Sequence, residues 1–207
     1  MKILNISSII PLNGLKREND IVLRIQDHLT KEYNYEFSIA KSLPYAPSFL
    51  GLFSNKWKKY NEYIKLGKTE VQGFKAITYP WLMLPTSNLW VNYFLIPINF
   101  IFYNLFLKKN LLHAAQNCDL ILAQNNIPDA VVAYLLAKKT NKPYILNVRG
   151  NFNPIVLKLP FLKHVYKNAE KIITHSPQNF KTLENKIDIK LLPHPIESFF
   201  FNDKSKR

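Results

Sequence analysis

The sequence is poor in cysteine and glycine, two residues on which many binding and catalytic sites depend, and it lacks the spacing pattern of metal ligands. Its single cysteine, Cys118, excludes an internal disulfide framework and is typical of a reducing compartment. Only 5 glycines occur, and none forms the Gly-x-Gly-x-x-Gly fingerprint of dinucleotide-binding proteins. No group of His, Cys, Asp and Glu has the spacing of metal ligands, so we expect no metal site.

Acidic residues are also few, and the imbalance of charge narrows the choice of partner. Lys and Arg number 28 against 14 Asp and Glu, which gives a net charge of +14. Such a charge favours polyanions, namely nucleic acid, anionic lipid or phosphorylated substrates. The basic residues flank aromatic, uncharged sequence and form no single basic helix, which favours a membrane surface over nucleic acid. The candidate membrane-contact residues are Lys56, Trp57, Lys58, Lys59, Lys108 and Lys109.

The first ten residues are too polar for a signal peptide, and their apolar run is too short. No small-residue cleavage site follows them. We interpret Lys2–Ile10 as a first strand instead. With the basic, aromatic segments, this predicts a cytoplasmic protein that binds peripherally to the inner face of the plasma membrane.

Short apolar strands alternate with helical segments along the chain. The predicted helices are Glu18–Glu32 and a short one near Lys56–Ile64, and Pro80 is expected to end the third strand. This alternation predicts an α/β fold, a Rossmann-like and mostly parallel sheet with helices on both faces. Ligands of such sheets bind at the carboxyl ends of the strands. The predicted strands are Lys2–Ile10, Glu36–Ala40, Val71–Tyr79, Asp119–Asn125, Lys142–Gly150, Glu170–Ser176 and a last run, Ile189–Glu197.

The segment Leu89–Leu107 contains no charged residue and allows three interpretations. It is long enough to approach the roughly 20 apolar residues of a membrane span. Pro97 and three asparagines argue against a lone span, because each amide would need a partner in lipid. It also lies between two predicted strands of one sheet, where a crossover helix is required. A crossover helix packed on the sheet, an interfacial membrane helix and a true span therefore remain the alternatives.

Polar residues at the ends of predicted strands are the candidate ligand-binding residues. Asn13 and Gly14 follow the first strand, where glycine permits close backbone approach to an anion, although a simple turn is the alternative. Asn125 and Asn126 follow the fourth; their amides suit sugar hydroxyls, and a turn or helix cap is equally compatible with them.

Two later strand ends carry a cation and an imidazole. Arg149 with Gly150 could grip a phosphate or carboxylate, and a structural ion pair is the alternative. His175 and Ser176 end the next strand, where Ser176 followed by proline is also an ordinary helix cap. No pair of carboxylates suggests an acid and a base, since acidic residues are scarce at all predicted strand ends.

The order and spacing of these segments resemble the N-terminal domain of family 4 glycosyltransferases, enzymes of the GT-B fold. The resemblance covers almost the whole chain and is strongest from Cys118 to Phe200. It rests on the first strand with its Pro-x-x-Gly loop, on Asn125, and on the runs Lys142–Gly150, Ala169–Ser176 and Leu191–Phe200.

The resemblance implies an acceptor-binding domain for retaining sugar transfer from a nucleotide-sugar in cell-surface polysaccharide synthesis, a hexosyltransferase activity. It implies no cofactor, no nucleic-acid partner, and a lipid-linked or glycan acceptor. Residues 1–195 would form the Rossmann-like domain and 196–207 the start of the hinge. The C-terminal donor-binding domain is not in the sequence, so we expect the chain to be inactive without one, in cis or in trans.

The resemblance also suggests roles for single residues. Gly14 matches the glycine loop beneath the donor diphosphate, although many relatives have two adjacent glycines there. Arg149 stands where many members have histidine; a permanently charged guanidinium cannot act as a base, so its implied catalytic role is electrostatic. The alternative function is a non-catalytic, nucleotide- or polyanion-binding Rossmann-like module.

Overall fold

A computed structural model describes residues 1–10, 21–45, 58, 61–62, 64–65, 68–71, 74–83, 89–150, 152 and 154–192. Five of the predicted site residues, Asn13, Gly14, Lys56, Trp57 and Lys59, lie outside the described residues. The predicted hinge at 196–207 lies outside them as well.

An eight-stranded sheet forms the centre of the protein, in the order β3-β4-β2-β1-β5-β6-β7-β8. Every neighbouring pair is parallel except β3 and β4, which form an antiparallel hairpin at one edge. The mostly parallel, Rossmann-like sheet predicted from the sequence is therefore confirmed. The strands are β1 Lys2–Ile6, β2 Glu36–Tyr45, β3 Lys68–Val71, β4 Phe74–Leu82, β5 Leu120–Ala123, β6 Tyr144–Val148, β7 Lys171–Thr174 and β8 Lys190–Leu191.

Helices connect the parallel strands and cover both faces of the sheet. The helices are α1 Ile21–Tyr33, α2 Leu89–Leu105, α3 Lys109–Gln116, α4 Asp129–Thr140, α5 Pro160–Lys167 and α6 Pro177–Leu183, with a 3-10 helix at Pro154–Lys158. Near Lys56–Ile64, where a short helix is predicted, the described residues Lys58, Asn61, Glu62 and Ile64 are helical.

Alternation along β2 separates two apolar cores. Ile39 and Leu43 pack with Val22 and Leu23 of α1 on one face. Ala40 belongs to the larger cluster on the other face, which the remaining helices cover. Adjacent strand residues point to opposite faces, so the helices lie on both sides of the sheet as predicted.

The predicted third strand, Val71–Tyr79, is wrong in its bounds. Val71 ends β3 and pairs with Phe74 in the hairpin, whereas β4 continues through Pro80 to Leu82. A proline is tolerated there because the ladder between β3 and β4 extends only as far as Ile77, so Pro80 has no ladder partner in β3 to donate to. The parallel partner β2 is correspondingly longer than predicted, since it pairs with β4 as far as Tyr45.

The first strand is shorter than the predicted Lys2–Ile10. The ladder to β2 continues through Ser7, whose N–H donates to the Ala40 carbonyl at 2.9 Å. The next N–H, that of Ser8, donates instead to the carboxylate of Asp129 at 2.9 Å. The strand ends at Ile6 because a side chain replaces the neighbouring strand as hydrogen-bond acceptor.

The uncharged segment forms α2, which connects β4 to β5 together with α3, so the crossover interpretation agrees with the structure. One side of α2 packs on the sheet through Ile96, Asn99 and Tyr103. Within the described residues, no helix has the length and apolar character needed to cross a bilayer.

Candidate functional site

The order of the strands places a crevice at the carboxyl ends of β1 and β5. From β1 the chain continues to β2 on one side, whereas β5 and the strands that follow it lie on the other. The connections that leave β1 and β5 therefore diverge, and α/β proteins bind ligands at this point. The residues that follow these strands, and those that follow β6 and β7, form the candidate site.

Asp129 and Ser8 join the two strands at this point. The Asp129 carboxylate oxygen Oδ2 accepts hydrogen bonds from the backbone N–H of Ser8 at 2.9 Å and from its hydroxyl at 3.1 Å. Asn125 donates from Nδ2 to the Ser8 hydroxyl oxygen at 3.4 Å. Asp129 is the first residue of α4, where a negative charge also interacts favourably with the helix dipole.

Asp129 is wholly buried, and this burial perturbs its ionisation. Desolvation raises the pKa of its carboxyl to about 7, against the opposing effects of both Ser8 hydrogen bonds and the charge of Lys41. Its second oxygen, Oδ1, has no hydrogen-bond partner among the described residues. A carboxyl with this pKa exchanges its proton near neutral pH.

Lys41 is a second buried charge on the other side of the same loop. Its side chain is 1% exposed, and its ammonium donates to the Ser8 carbonyl at 3.0 Å and to the Ile10 carbonyl. Lys41 and Asp129 thus hold the backbone that leaves β1 from both sides. In the sequence, Asn13 and Gly14 follow shortly after this backbone.

A second polar group extends along the edge from β5 to β7. Asn147 at the end of β6 is buried and lies 3.1 Å from Gln124 Oε1 and 3.4 Å from His175 Nε2, both measured to its Nδ2. His175 Nδ1 lies 3.0 Å from the Leu192 carbonyl oxygen, and it donates there because a carbonyl only accepts. Gln124, Asn147 and His175 therefore form one chain of contacts across three strands.

Arg149 extends this series of side-chain contacts through Asn147. If the Asn147 amide is turned by 180°, its oxygen accepts from Arg149 Nε and Nη2 at 3.0 and 3.1 Å. This orientation is favoured because a guanidinium carries only donors. Desolvation lowers the pKa of the half-buried guanidinium, which nevertheless remains positively charged at neutral pH.

Asn179 and Ser176 fix the loop that carries Arg149. Gly150 has a φ of +65°, a conformation that favours glycine. Asn179 of α6 donates to the Gly150 carbonyl at 2.6 Å and accepts from the Phe152 N–H at 3.2 Å. Ser176 caps α6 by accepting from the Asn179 N–H at 3.2 Å, which agrees with the capping alternative.

The structure thus brings several predicted residues to one edge, namely Asn125, Asn126, Arg149, Gly150 and His175. Asn126 braces two segments, since it donates to the Arg149 carbonyl at 3.3 Å and accepts from the Tyr166 hydroxyl at 3.4 Å. Three of the predicted membrane-contact residues are among those that the structure describes. Lys58 and Lys109 are exposed, whereas Lys108 is partly buried, its pKa is lowered by desolvation, and it donates to the Thr78 carbonyl at 3.4 Å.

The candidate residues predicted from the sequence do not include three polar residues of this edge, Ser8, Lys41 and Asp129. The acid follows a proline at the start of a helix, where the sequence suggests only a helix N-terminus. Lys41 directly follows the predicted end of the second strand at Ala40, so the sequence places it outside the buried strand. Within the described part of the chain, no group of three or more His, Cys, Asp and Glu is placed to hold a metal ion.

Neither a family model nor a curated protein matches the sequence. Solved structures are similar in fold. The chain aligns over 97% of its length with 46% of HepE (Alr3699) from Anabaena, a structure in complex with UDP and glucose, at a TM-score of 0.52 and 12% identity. The calicheamicin glycosyltransferase CalG4 is less similar. The alignment covers 93% of this chain and 52% of that chain, at 11% identity and a TM-score of 0.44.

An α-glucosyltransferase in complex with UDP and DNA is also similar, with 12% identity, 86% of this chain, 37% of that chain and a TM-score of 0.38. The chain thus spans about half the length, or less, of each of these structures. The similarity to HepE agrees with the parallel sheet and its helices. The chain has the α/β, Rossmann-like fold of one half of a GT-B glycosyltransferase.

Proposed function

We propose that the chain is the acceptor-binding, N-terminal-type domain of a glycosyltransferase that resembles family 4. Its reaction would be retaining transfer of a hexose from a nucleotide-sugar during cell-surface polysaccharide synthesis. The observation that carries the proposal is the polar edge from Ser8 to His175, which lies at the carboxyl ends of the strands in a GT-B half-fold. Ligands of parallel sheets bind at that edge.

The chemistry of this edge suits a sugar acceptor and an anionic donor. Asn125 and Gln124 offer amide donors and acceptors that match sugar hydroxyls. Arg149 supplies a fixed positive charge for phosphate oxygens or for the negative charge that develops on the leaving diphosphate. Because the nucleotide-sugar is a co-substrate, the proposal requires no resident cofactor.

The partner would be a C-terminal GT-B domain that binds the nucleotide, in cis or in trans. A two-domain cleft excludes water and positions both substrates, so one wall of the cleft alone is expected to be inactive. The polysaccharide role and the lipid-linked or glycan acceptor come from the family resemblance and need direct tests.

A sugar-transfer assay tests the proposal with UDP-glucose as the probe donor and a bacterial lipid extract as the acceptor. The purified chain is assayed alone and with a C-terminal GT-B domain added as a separate protein. We expect no transfer by the chain alone and measurable transfer with the second domain. Full turnover by the single chain, or none with any donor-binding domain tried, would contradict the proposal.

Substitution of Arg149 makes the same assay specific for the site. Arg149→Ala should lower transfer by roughly 10- to 100-fold, since a hydrogen bond to a charged group contributes about 1.5–3 kcal/mol. Arg149→Lys should restore part of the activity by keeping the charge without the planar fork. The matched control is Lys138→Ala, which removes an exposed charge at the far end of α4. An unchanged rate in Arg149→Ala would remove the guanidinium from the mechanism.

The net charge of +14 supports the alternative, a non-catalytic nucleotide- or polyanion-binding module. Binding to duplex DNA or RNA that falls steeply with salt and is insensitive to Arg149→Ala would favour this module over the transferase.

A further inference from the structure

Helix α2 exposes a continuous apolar stripe to solvent. The exposed fractions are 79% for Phe94, 51% for Ile98, 59% for Ile101, 46% for Phe102, 63% for Leu105 and 64% for Phe106. Their spacing of three or four residues places them along one side of the helix, ending at Phe106 just beyond it, over roughly 18 Å at 1.5 Å per residue. Exposed apolar patches of this kind mark interaction surfaces.

The opposite side of α2 is fixed to the sheet, so the stripe is held in an outward orientation. The Asn99 side chain is buried, accepts from the Leu82 N–H at 2.8 Å and donates to the Leu82 carbonyl at 2.9 Å. Tyr103 stacks on Trp81 with 5.8 Å between ring centroids. Because Ile96 is buried as well, rotation of the helix cannot bury the stripe without exposing this packed side.

An apolar groove of about 320 Å³ opens beside the stripe. Ile98 and Phe102 belong to both the stripe and the groove wall. Tyr45 and Leu82, the last residues of β2 and β4, form part of the other wall. The groove therefore lies at the same edge of the sheet as the candidate site.

The charge around α2 indicates the kind of surface that covers the stripe. From Val71 to Cys118 the sequence contains no Asp or Glu. The exposed Lys109 begins α3 just beyond the stripe, and the Lys139 ammonium donates to the Asn104 carbonyl of α2 at 2.7 Å. An apolar stripe with the positive charges of Lys109 and Lys139 beside it is complementary to a bilayer with anionic headgroups. A second copy of the chain would bring like charge against like charge.

We propose that the α2 stripe lies in the headgroup boundary of an anionic membrane and that the groove beside it receives one hydrocarbon chain of a lipid. This goes beyond the proposed transferase function and rests on the surface of α2 and the groove beside it. It places the carboxyl edge of the sheet close to the membrane, where a lipid-linked molecule would be within reach.

Vesicle co-sedimentation tests the stripe. The chain should bind vesicles of mixed phosphatidylglycerol and phosphatidylcholine more tightly than pure phosphatidylcholine vesicles. The double substitution Phe94→Ser with Leu105→Ser should weaken binding at least tenfold, because it removes two large apolar contacts from the lipid boundary. The matched control is Tyr33→Ser, which removes a 60% exposed aromatic side chain from α1. Circular dichroism and thermal unfolding confirm that each variant is folded.

Three outcomes would overturn the proposal: no binding of the unsubstituted chain to anionic vesicles, equal binding by the double variant, or a dimer in sedimentation velocity that the double variant dissociates. Two single substitutions separate the contribution of charge. Lys109→Glu should weaken binding to anionic vesicles. Lys171→Glu, which reverses the charge of an exposed lysine on β7, should not weaken it. Equal losses in both variants would point to net charge alone and would contradict a docked α2.

Tryptophan fluorescence tests separately whether a hydrocarbon chain enters the groove. Leu82→Trp places an indole in the groove wall, and vesicles whose acyl chains carry bromine quench tryptophan fluorescence on contact. We expect more quenching in this variant than in the unsubstituted chain. Equal quenching in the two proteins would show that no hydrocarbon chain enters the groove.

Discussion

At the scale of single residues, Asp129 has the most perturbed environment of the candidate site. A buried carboxyl carries its proton to a higher pH than an exposed one, because the low dielectric penalises the anion. The two Ser8 hydrogen bonds and the charge of Lys41 offset only part of that penalty. Above neutral pH the protein therefore keeps a carboxylate beneath the backbone that leaves β1 at a cost in stability.

This cost has a definite dependence on pH. The pKa of Asp129 is about 7 in the folded protein against 3.8 in the unfolded chain, so the folded state binds the proton more tightly. Stability is thus greatest below the unfolded value, falls as pH rises towards 7, and stays lower above it. Between pH 5 and pH 8 the loss from this group is about 2–3 kcal/mol, since each pKa unit corresponds to about 1.4 kcal/mol.

Asp129→Asn should flatten this dependence. We expect the fall in the free energy of unfolding from pH 5 to pH 8 to be about 2–3 kcal/mol smaller in the variant, measured by urea unfolding at both pH values. Asp27→Asn, which replaces an exposed carboxylate of α1, is the control and should leave the fall unchanged. If both variants keep the full dependence, another group carries it.

The site residues that could be predicted from the sequence are those that directly follow a clear strand. Asn125, Arg149 and His175 follow clear apolar runs, so their position at the carboxyl edge could be predicted from the pattern alone. Lys41 could not, because a lysine in a buried strand contradicts its own hydropathy and interacts with carbonyls of a distant loop and with the charge of Asp129. The same holds for Asp129, whose partner Ser8 lies 121 residues away.

At the scale of elements, Asn99 makes α2 part of the sheet edge. Its amide pairs with both backbone groups of Leu82, the last residue of β4, much as a neighbouring strand would. A further bond from its Nδ2 to the Leu95 carbonyl, at 2.9 Å, lies within the helix. The asparagine that argues against a membrane span in the sequence thus holds the helix against the protein.

Asn99→Ala should destabilise the protein by about 1–3 kcal/mol, because it leaves the part-buried N–H and carbonyl of Leu82 without the partner they have in the structure. The midpoint of urea unfolding measures the loss, and hydrogen exchange of the Leu82 amide should become faster. Asn104→Ala is the matched control on the same helix, since the Asn104 side chain is exposed. A loss no larger than that of the control would show that the Leu82 groups find other partners.

The elements that could be predicted are those with a strong local pattern. The alternation of apolar strands and helices predicts the parallel sheet, because it follows from hydrophobic spacing, and it leaves a crossover helix at Leu89 as one of three alternatives. The hairpin of β3 and β4 could not be predicted, since Pro80 suggests a strand end and the turn between Val71 and Phe74 carries only one glycine. Pairing along β2, a tertiary effect, overrides that local signal.

At the scale of the whole molecule, positive charge exceeds what internal ion pairs can offset. Two ion pairs in the described part of the chain, Lys2–Glu36 at 3.6 Å and Lys31–Asp27 at 2.7 Å, are both exposed. Exposed pairs contribute little to stability. A net charge of +14 on one domain therefore repels itself in the folded state and favours expansion.

This repulsion predicts that moderate salt stabilises the protein. Raising NaCl from about 0.02 to 0.3 M shortens the Debye length to below about 10 Å, so the melting temperature should rise by a few degrees. Lys58→Glu combined with Lys65→Glu reverses two exposed charges and should reduce the rise, whereas the two Arg substitutions at these positions should preserve it. Scanning calorimetry of the three proteins over the same salt range distinguishes screening from a general salt effect, because a general effect would raise all three melting temperatures equally. A melting temperature that falls with salt would mean that attractive pairs outweigh the repulsion. The positive charges of the surface would then be offset by acidic groups of the chain itself, and no external anion would be required to offset them.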